Sequence, residues 1–380
     1  MKRLLIVLAA ALFLAACGAK DNSEPPAPLV KFTPKVKVSE AWSSDVGAGE
    51  DGILLGLVPA VDGKSVFVGG RDGSVSGWDV QSGSRLWRTD TGLKVGGGPG
   101  VGDHVVVVGS TEGYVEALAI KDGHELWKHY VDSIVIAAPA VGDGVVVVRT
   151  GDGHLIGLSA ADGHQLWTLS RDVPRLSLRG DATPVIDRGV VYAGFDDGTL
   201  LAVSLKDGKV LWEAPIGQPS GENELQQLID LDGRPVVGLG FVYAVTYHGK
   251  LAALSATGGQ PFWSIPMSSY TGVSYADEQL YVTDSDSVVH AVNAASGDMV
   301  WKQAAMRARS LTRPTPFHGT VAMGDFAGYV HFLSQKTGEL VARVQADSAG
   351  ISAAPVVAGD TLLVLTDDGE LVAYRFPAAQ

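Results

Sequence analysis

The sequence predicts an all-β fold, an eight-bladed β-propeller in which each blade is a four-stranded antiparallel sheet. The first observation is a Gly-x-x-x-Trp pattern that recurs with a period near forty residues, as propeller repeats do. The second is a glycine fourteen residues before each tryptophan, replaced only once, by Ser287. The six copies end at Trp87, Trp127, Trp167, Trp212, Trp263 and Trp301. Units of this kind bury their apolar faces by stacking on their neighbours.

One repeat shows how the four strands of a blade arise. The run Val145–Val148 is followed by the turn Gly151–Gly153, a second apolar run and then Leu166-Trp167. Short β-branched runs separated by Asp-Gly turns indicate antiparallel hairpins, so we name four strands A to D and place the tryptophan on strand D. We expect the indole to wedge between adjacent sheets with its N–H on a carbonyl, and the turn glycines to have positive φ.

The blade count depends on the two ends of the repeat region. A seventh copy has Ala342 in place of the tryptophan, and residues 343–380 begin an eighth unit that lacks its strand D. The strand-like segment Val36–Trp42 precedes the first full unit and ends in a tryptophan. We therefore expect the N-terminal strand to complete the last blade and close the ring, which removes open sheet edges. The propeller then spans residues 36–380.

The N-terminus predicts export and anchoring. Residues 1–16 have a basic start and an apolar stretch, Leu4–Phe13, which is a secretory signal too short to span a membrane. The small residues before Cys17 resemble the bacterial lipobox, which implies cleavage and lipidation, including palmitate, at Cys17. With Gly18 next, the resemblance implies sorting to the outer membrane, on its periplasmic face. Residues 17–35 are rich in proline and predict a flexible tether with a reach of about 50 Å.

Charge and cysteine content exclude some classes of partner. The net charge is −13, and cleavage of the signal removes two cations, so nucleic acid or an anionic membrane surface is disfavoured as the main partner. Cys17 is the only cysteine. The folded domain therefore has no disulfide and depends on packing for its stability.

Two consecutive connections between blades deviate from the repeat, and a third long one, from Trp42 to Pro59, also spans seventeen residues but is Gly-rich and bland. The distance from Trp167 to Pro184 is seventeen residues and from Trp212 to Pro235 twenty-three, whereas Trp87 to Pro99 spans twelve. Both long connections join a strand D to the next strand A, so they should lie side by side on one face. Residues 171–180 and 221–232 offer leucines among charges of both signs, which is how a protein-binding patch is built. The alternative is that these leucines fold inward and plug the ring.

The repeats resemble those of quinoprotein dehydrogenases. With the lipobox, the blade count and the segment Leu176–Gly180, the mature chain resembles more specifically the BamB family of the outer-membrane β-barrel assembly (BAM) complex. That resemblance implies a non-enzymatic scaffold without a cofactor, which binds the POTRA domains of BamA and assembles with other BAM lipoproteins. It also implies aid to folding and insertion of barrel proteins, with unfolded outer-membrane proteins as further partners. The BamA contacts that it implies are Leu176, Leu178, Arg179, Asp230 and Asp232. Gln227 stands where family members can carry an arginine.

Two other functions stay open at this point, a quinoprotein-like periplasmic enzyme and a propeller that binds a small ligand in its channel. Quinoprotein enzymes hold their cofactor beneath a disulfide of adjacent cysteines and over calcium, and this domain has no cysteine. Asp284 and Asp286 occupy the position of the Asp-Gly turns, so we interpret them as turn residues. The sequence shows no cluster of metal ligands and no convergent polar set in the channel.

Overall fold

The computed structural model describes residues 24–50, 55–174, 176–177, 182–217 and 228–377. Within these ranges every regular element is a β-strand, and thirty-two strands form eight four-stranded antiparallel sheets. Innermost strands of neighbouring blades contact one another along most of the ring, including those of the first and eighth blades. The predicted eight-bladed β-propeller is confirmed.

The strands are numbered in chain order, and each blade runs from its inner to its outer strand. The N-terminal strand is β1 (Ser39–Asp45). Blades 1 and 2 contain β2 (Ala60–Asp62), β3 (Ser65–Gly69), β4 (Ser74–Asp79), β5 (Arg85–Asp90), β6 (Val95–Gly102), β7 (Val105–Ser110), β8 (Tyr114–Ala119) and β9 (Glu125–Tyr130). Blades 3 and 4 contain β10 (Ala140–Gly142), β11 (Val145–Arg149), β12 (His154–Ser159), β13 (Gln165–Ser170), β14 (Val185–Asp187), β15 (Val190–Gly194), β16 (Thr199–Ser204) and β17 (Val210–Pro215). Blades 5 and 6 contain β18 (Val236–Gly238), β19 (Phe241–Val245), β20 (Lys250–Ser255), β21 (Pro261–Pro266), β22 (Val273–Ala276), β23 (Gln279–Thr283), β24 (Val289–Asn293) and β25 (Met299–Gln303). Blades 7 and 8 contain β26 (Thr315–Phe317), β27 (Thr320–Gly324), β28 (Tyr329–Ser334), β29 (Leu340–Gln345), β30 (Val356–Ala358), β31 (Thr361–Leu365) and β32 (Glu370–Arg375).

The ring is closed by its first strand. The eighth sheet has the order β1-β32-β31-β30, and the β1–β32 ladder extends from Ser39 opposite Arg375 to Asp45 opposite Glu370. The predicted closure is therefore confirmed, although β1 begins at Ser39 instead of Val36. Val36 and Val38 pack against the apolar core between blades 7 and 8.

The repeated tryptophans join neighbouring blades. The indole N–H of Trp127 in blade 2 donates to the carbonyl of Ala160 in blade 3 at 2.9 Å, and the same contact recurs around the ring. The six-membered ring of the indole lies against Gly163, whose φ is +74°. A β-carbon on Gly163 would be 2.6 Å from the indole, so the turn glycine is needed both for its backbone conformation and for its lack of a side chain. The Gly-x-x-x-Trp pattern thus records a contact between consecutive blades.

Blade 7 departs from this arrangement because Ala342 has no ring to insert. Ala342 is buried in the core between blades 7 and 8, and Phe376 packs against the same core from the end of β32. The Phe376 ring is 4.9 Å from that of Phe317 and 5.8 Å from that of Phe332, measured between centroids. An aromatic from the C-terminal end therefore contributes to the one interface whose outer strand lacks a tryptophan.

The predicted flexible tether is only partly consistent with the structure. Residues 24–35 lie against blades 6 and 7: the Ala27 N–H donates to the Arg307 carbonyl at 2.9 Å, and the Lys35 N–H to the Val341 carbonyl at 2.8 Å. Prolines keep this segment extended, and its polar groups find partners on the ring. The prediction of free chain is thus wrong for residues 24–35, whereas residues 17–23 lie outside the described residues.

Candidate functional site

The two long connections lie on one face of the ring, as their spacing predicts. The first, residues 171–184, joins β13 to β14, and the second, residues 216–235, joins β17 to β18. The Arg171 N–H donates to the Gly153 carbonyl at 3.0 Å, which places the first connection beside the β11–β12 turn. The Leu231 N–H donates to the Phe195 carbonyl at 3.2 Å. The β15–β16 turn, Phe195–Gly198, therefore stands between the connections. We call this side of the propeller the connection face.

Two arginines flank the ring of Phe195. The guanidinium carbon of Arg149 is 5.5 Å from the ring centroid and that of Arg171 is 5.3 Å away. Arg149 also pairs with Asp196, and both side chains are buried. Cation–π contact and a buried ion pair together hold the turn against blade 3.

Arg171 fixes the start of the first connection through two carboxylates. Its guanidinium donates to Glu213 at 3.0 Å and to Asp197 at 2.9 Å. These hydrogen bonds, with Glu213 first, raise the pKa of Arg171, so it is a permanent cation. Arg171 is thus paired within the chain, and the apolar side chains that follow it in the connection are partly accessible.

Those apolar side chains border a groove of about 480 Å³. Val173 and Leu176, which are 37% and 39% exposed, line it. Ile134 and Ile136 of the preceding connection also line it, together with polar side chains such as Asp152. Exposed leucine beside a groove of apolar and charged residues has the composition of a protein-binding site. Of the residues predicted for this surface in the first connection, Leu176 is described, whereas Leu178 and Arg179 lie outside the described residues.

The second connection is different, because its described part is buried. Leu228, Ile229 and Leu231 are at most 7% exposed, and Leu231 belongs to the core between blades 4 and 5. The expectation that the leucines of this connection are exposed is therefore wrong for Leu228 and Leu231. They fold inward, as the alternative predicted. They do not plug the centre of the ring, however, because they fill the space between blades.

Asp230 and Asp232 belong to the same buried stretch. They are 0% and 2% exposed, and the Asp230 carbonyl accepts the Tyr247 N–H at 2.8 Å. The two carboxylates thus lie beneath the connection face and do not form an acidic patch on it. Gln227 lies outside the described residues.

The central channel holds residues that the sequence reasoning missed. A cavity of about 450 Å³ is lined by inner strands of blades 4 to 8 and includes Arg234 and Arg313. Burial lowers the pKa of Arg234, although its side chain still reaches the solvent of the channel. A signal was present in the sequence, since both arginines directly precede the proline that opens an inner strand.

The aspartates considered for calcium form a turn. The Asp284 carboxylate accepts the N–H groups of Val288 at 2.8 Å and Asp286 at 3.0 Å, and it lies 2.7 Å from Nε2 of His290. Burial would raise the pKa of Asp284, but these contacts outweigh it and lower the pKa. The turn interpretation is confirmed. Among the described residues, no group of three or more His, Cys, Asp or Glu side chains could hold a metal ion.

Comparisons with known proteins point to one family. The family profile described as "Outer membrane protein assembly factor BamB" matches residues 71–303 and 285–376. A protein of that name from Alkalilimnicola ehrlichii is 44% identical over 374 residues, which cover 98% of this chain and 97% of the relative. A namesake from Pseudomonas aeruginosa is 40% identical over 97% of both chains. Similarity therefore extends over nearly the whole sequence.

Solved structures agree on the architecture. The crystal structure of BamB from Moraxella catarrhalis superposes with a TM-score of 0.82 and 26% identity, covering 90% of this chain and all of that one. A quinohemoprotein alcohol dehydrogenase from Comamonas testosteroni gives a TM-score of 0.70 at 13% identity, covering 90% and 78%, a likeness of fold alone. In the part of the chain that the structure describes, no helix is long and apolar enough to cross a membrane.

Proposed function

Because this chain belongs to the BamB family of outer membrane protein assembly factors, we propose that it acts in that assembly as a non-enzymatic scaffold that binds BamA. Its relatives and the BamB crystal structure share its full architecture, so the family function applies to the whole propeller. The partner is a POTRA domain of BamA, and the binding site is the connection face of blades 3 and 4.

One observation supports this site above all, the exposed Leu176 at the edge of an apolar groove on a rigid blade. Its neighbours in the connection are held by the paired Arg171, so little conformational freedom is lost when a partner covers the leucine. Val173 extends the apolar area, and Leu178 and Arg179 follow directly in the sequence. An apolar anchor surrounded by charges suits a specific protein interface of modest size.

The burial of Asp230 and Asp232 changes the part that they play in this proposal. Since both are beneath the connection face, they act by supporting its shape and do not reach the partner directly. Their replacement is expected to weaken BamA binding only as far as it loosens the second connection. Asp230→Asn is expected to have a small effect on BamA binding, since it keeps the shape of the side chain.

We further propose that Cys17 carries the lipid anchor and that the propeller faces the periplasm together with other BAM lipoproteins. The scaffold performs no chemistry of its own, and contact with unfolded barrel chains is part of its assistance to insertion. Mass spectrometry of the membrane-extracted chain tests the anchor: acylation on Cys17 is expected, and an unmodified thiol contradicts it.

Co-purification with BamA tests the binding site. Leu176→Asp is expected to lower the affinity for BamA at least about fivefold, roughly 1–3 kcal/mol, because a charge replaces an apolar anchor. Leu126→Asp is the matched control, since Leu126 is also a leucine, is 41% exposed and lies on the outer strand of blade 2. Circular dichroism establishes that both variants are folded. Equal loss of binding in the two variants, or none in Leu176→Asp, would contradict the proposed site.

A further inference from the structure

Residues 24–35 form an extended segment along the outside of blade 7, which we call the strap. At one end, Glu24 accepts two hydrogen bonds of 2.8 Å from Nε of Arg307, in the connection from blade 6 to blade 7. At the other end, the Lys35 ammonium pairs with Glu339 at 2.7 Å, just before β29 begins. The strap therefore crosses the whole edge of the blade, from the connection face to the opposite face.

Between these ends the strap is held by a chain of buried polar groups in blade 7. Arg309 donates through Nε to Asp325 at 2.7 Å and through Nη1 to the Ala27 carbonyl at 3.1 Å. Asp325 lies 2.8 Å from Nε2 of His331, and Nε of Arg343 donates to Nδ1 of the same imidazole at 3.2 Å. The Ala27 carbonyl of the strap thus joins a network whose aspartate and histidine are fully buried.

Arg343 is the second arginine of that network that reaches the strap. Its Nη1 donates to the Val30 carbonyl at 3.1 Å, and its guanidinium carbon lies 5.2 Å from the ring centroid of Phe32. Hydrogen bonds from charged donors and a cation–π contact are among the stronger polar interactions. Blade 7 is thereby adapted to hold an extended chain.

The other blades show what the strap covers. The residue before the outer-strand tryptophan is apolar and exposed in blades 1 to 6, from 41% for Leu126 to 63% for Phe262. Its counterpart in blade 7, Val341, is only 6% exposed, and its carbonyl accepts the N–H groups of Lys35 and Val36. The strap is therefore a specific occupant of one blade edge.

We propose that the strap is a fixed part of the folded protein and presents the rim of blades 6 and 7 on the connection face to the lipid surface. This inference rests on the proposed acylation of Cys17. Only six residues, 18–23, separate Cys17 from Glu24, so this rim stays within about 25 Å of the anchor. The BamA site lies on the same face but across the ring, between blades 3 and 4. The short segment 18–23 therefore holds the lipid anchor near blade 7, away from the proposed BamA site.

Hydrogen exchange of the full acylated protein tests whether the strap is docked. The amides of Ala27, Lys35 and Val36 are expected to exchange at least about tenfold more slowly than in a Phe32→Ser, Lys35→Glu variant. That variant removes the stacked ring and turns the ion pair with Glu339 into a repulsion. Exchange of these amides in the parent at the rate of an unfolded chain would overturn the proposal.

A matched variant separates docking from general surface damage. Phe262→Ser with Lys209→Glu makes the same two changes elsewhere, at an exposed aromatic and at a lysine paired with Asp207 at 2.8 Å. Strap exchange is expected to be unchanged in this control. Acceleration equal to that of the strap variant would show that the protection does not come from the contacts described here.

Energy transfer to labelled lipid tests the orientation. A single fluorophore is placed at Ala304→Cys, on the rim near the strap, or at Asp172→Cys, across the ring on the same face. On vesicles of phosphatidylethanolamine and phosphatidylglycerol, transfer is expected to be at least about twofold greater from position 304, and the strap variant is expected to reduce the difference. Equal transfer from both positions in the parent would overturn the orientation. Failure of the protein to attach to vesicles would instead overturn the anchor, and BamA co-purification tests the proposed function separately.

Discussion

The contact between Trp127 and Gly163 provides a quantitative test of how the blades are joined. Trp127→Phe removes the donor to the Ala160 carbonyl, and that carbonyl belongs to a residue only 4% exposed. An unsatisfied buried acceptor costs about 1–3 kcal/mol, and the smaller ring adds about 1 kcal/mol for imperfect packing. The expected loss of stability is about 2–4 kcal/mol.

Gly163→Ala attacks the same contact from the other side. Its β-carbon would lie 2.6 Å from the indole at a φ of +74°, so the cost from the clash and the strained backbone is about 2–3 kcal/mol. In the double variant the smaller Phe ring leaves room for the new methyl group. The combined loss should therefore be smaller than the sum of the single losses by about 1 kcal/mol.

Urea unfolding followed by far-UV circular dichroism measures these differences. Leu126→Ala, next to Trp127 but 41% exposed, is the control and should change stability by less than about 0.5 kcal/mol. If the loss in free energy of unfolding of the double variant equals the sum of the two single losses, the two residues are energetically independent. That result would refute the inferred contact between Trp127 and Gly163.

Three further predictions concern blades 3, 4, 7 and 8. Burial lowers the pKa of His331, so between its unfolded value of about 6.5 and its folded value only the unfolded chain binds the proton, and stability falls as the pH drops below about 6.5. Urea midpoints at pH 7 and pH 5 should therefore differ, and His331→Gln should reduce the difference. Phe376→Ala should cost about 3 kcal/mol or less, since Phe376 is only partly buried, and a melting temperature equal to that of the parent would contradict its part in the core. Asp196→Asn leaves the buried Arg149 without its counter-charge and should cost about 3–5 kcal/mol in urea unfolding, a prediction that an unchanged midpoint would refute.

The fold was predictable because its determinants are local and repeated. Trp127 and Gly163 belong to a pattern that recurs at fixed spacing, and the missing outer strand of the last unit indicated that the segment ending at Trp42 would complete it. The strap was not predictable in this way. Its residues have no periodicity, and its partner Arg343 is about three hundred positions away in the sequence.

The geometry of the candidate site was predictable only in part. Connection length predicted that the two long connections share one face, and Leu176 is exposed there as expected. Leu231 also lies among polar residues of a long connection, yet it is buried because Gly194 leaves space for it between blades. Whether a leucine in a long connection turns inward depends on such space in another strand, which spacing alone does not reveal.

The pairing of β1 with β32 has a consequence for how the chain folds. Ser39 and Arg375 are 336 positions apart, so this ladder has close to the largest sequence separation among the described residues, 24–377. Seven sheets form from strands that are consecutive in the chain, whereas the eighth requires a strand that emerged first and one that emerges last. The first strand therefore stays unpaired until nearly all of the repeat region is present, and a truncated chain should fail at this seam before it fails elsewhere.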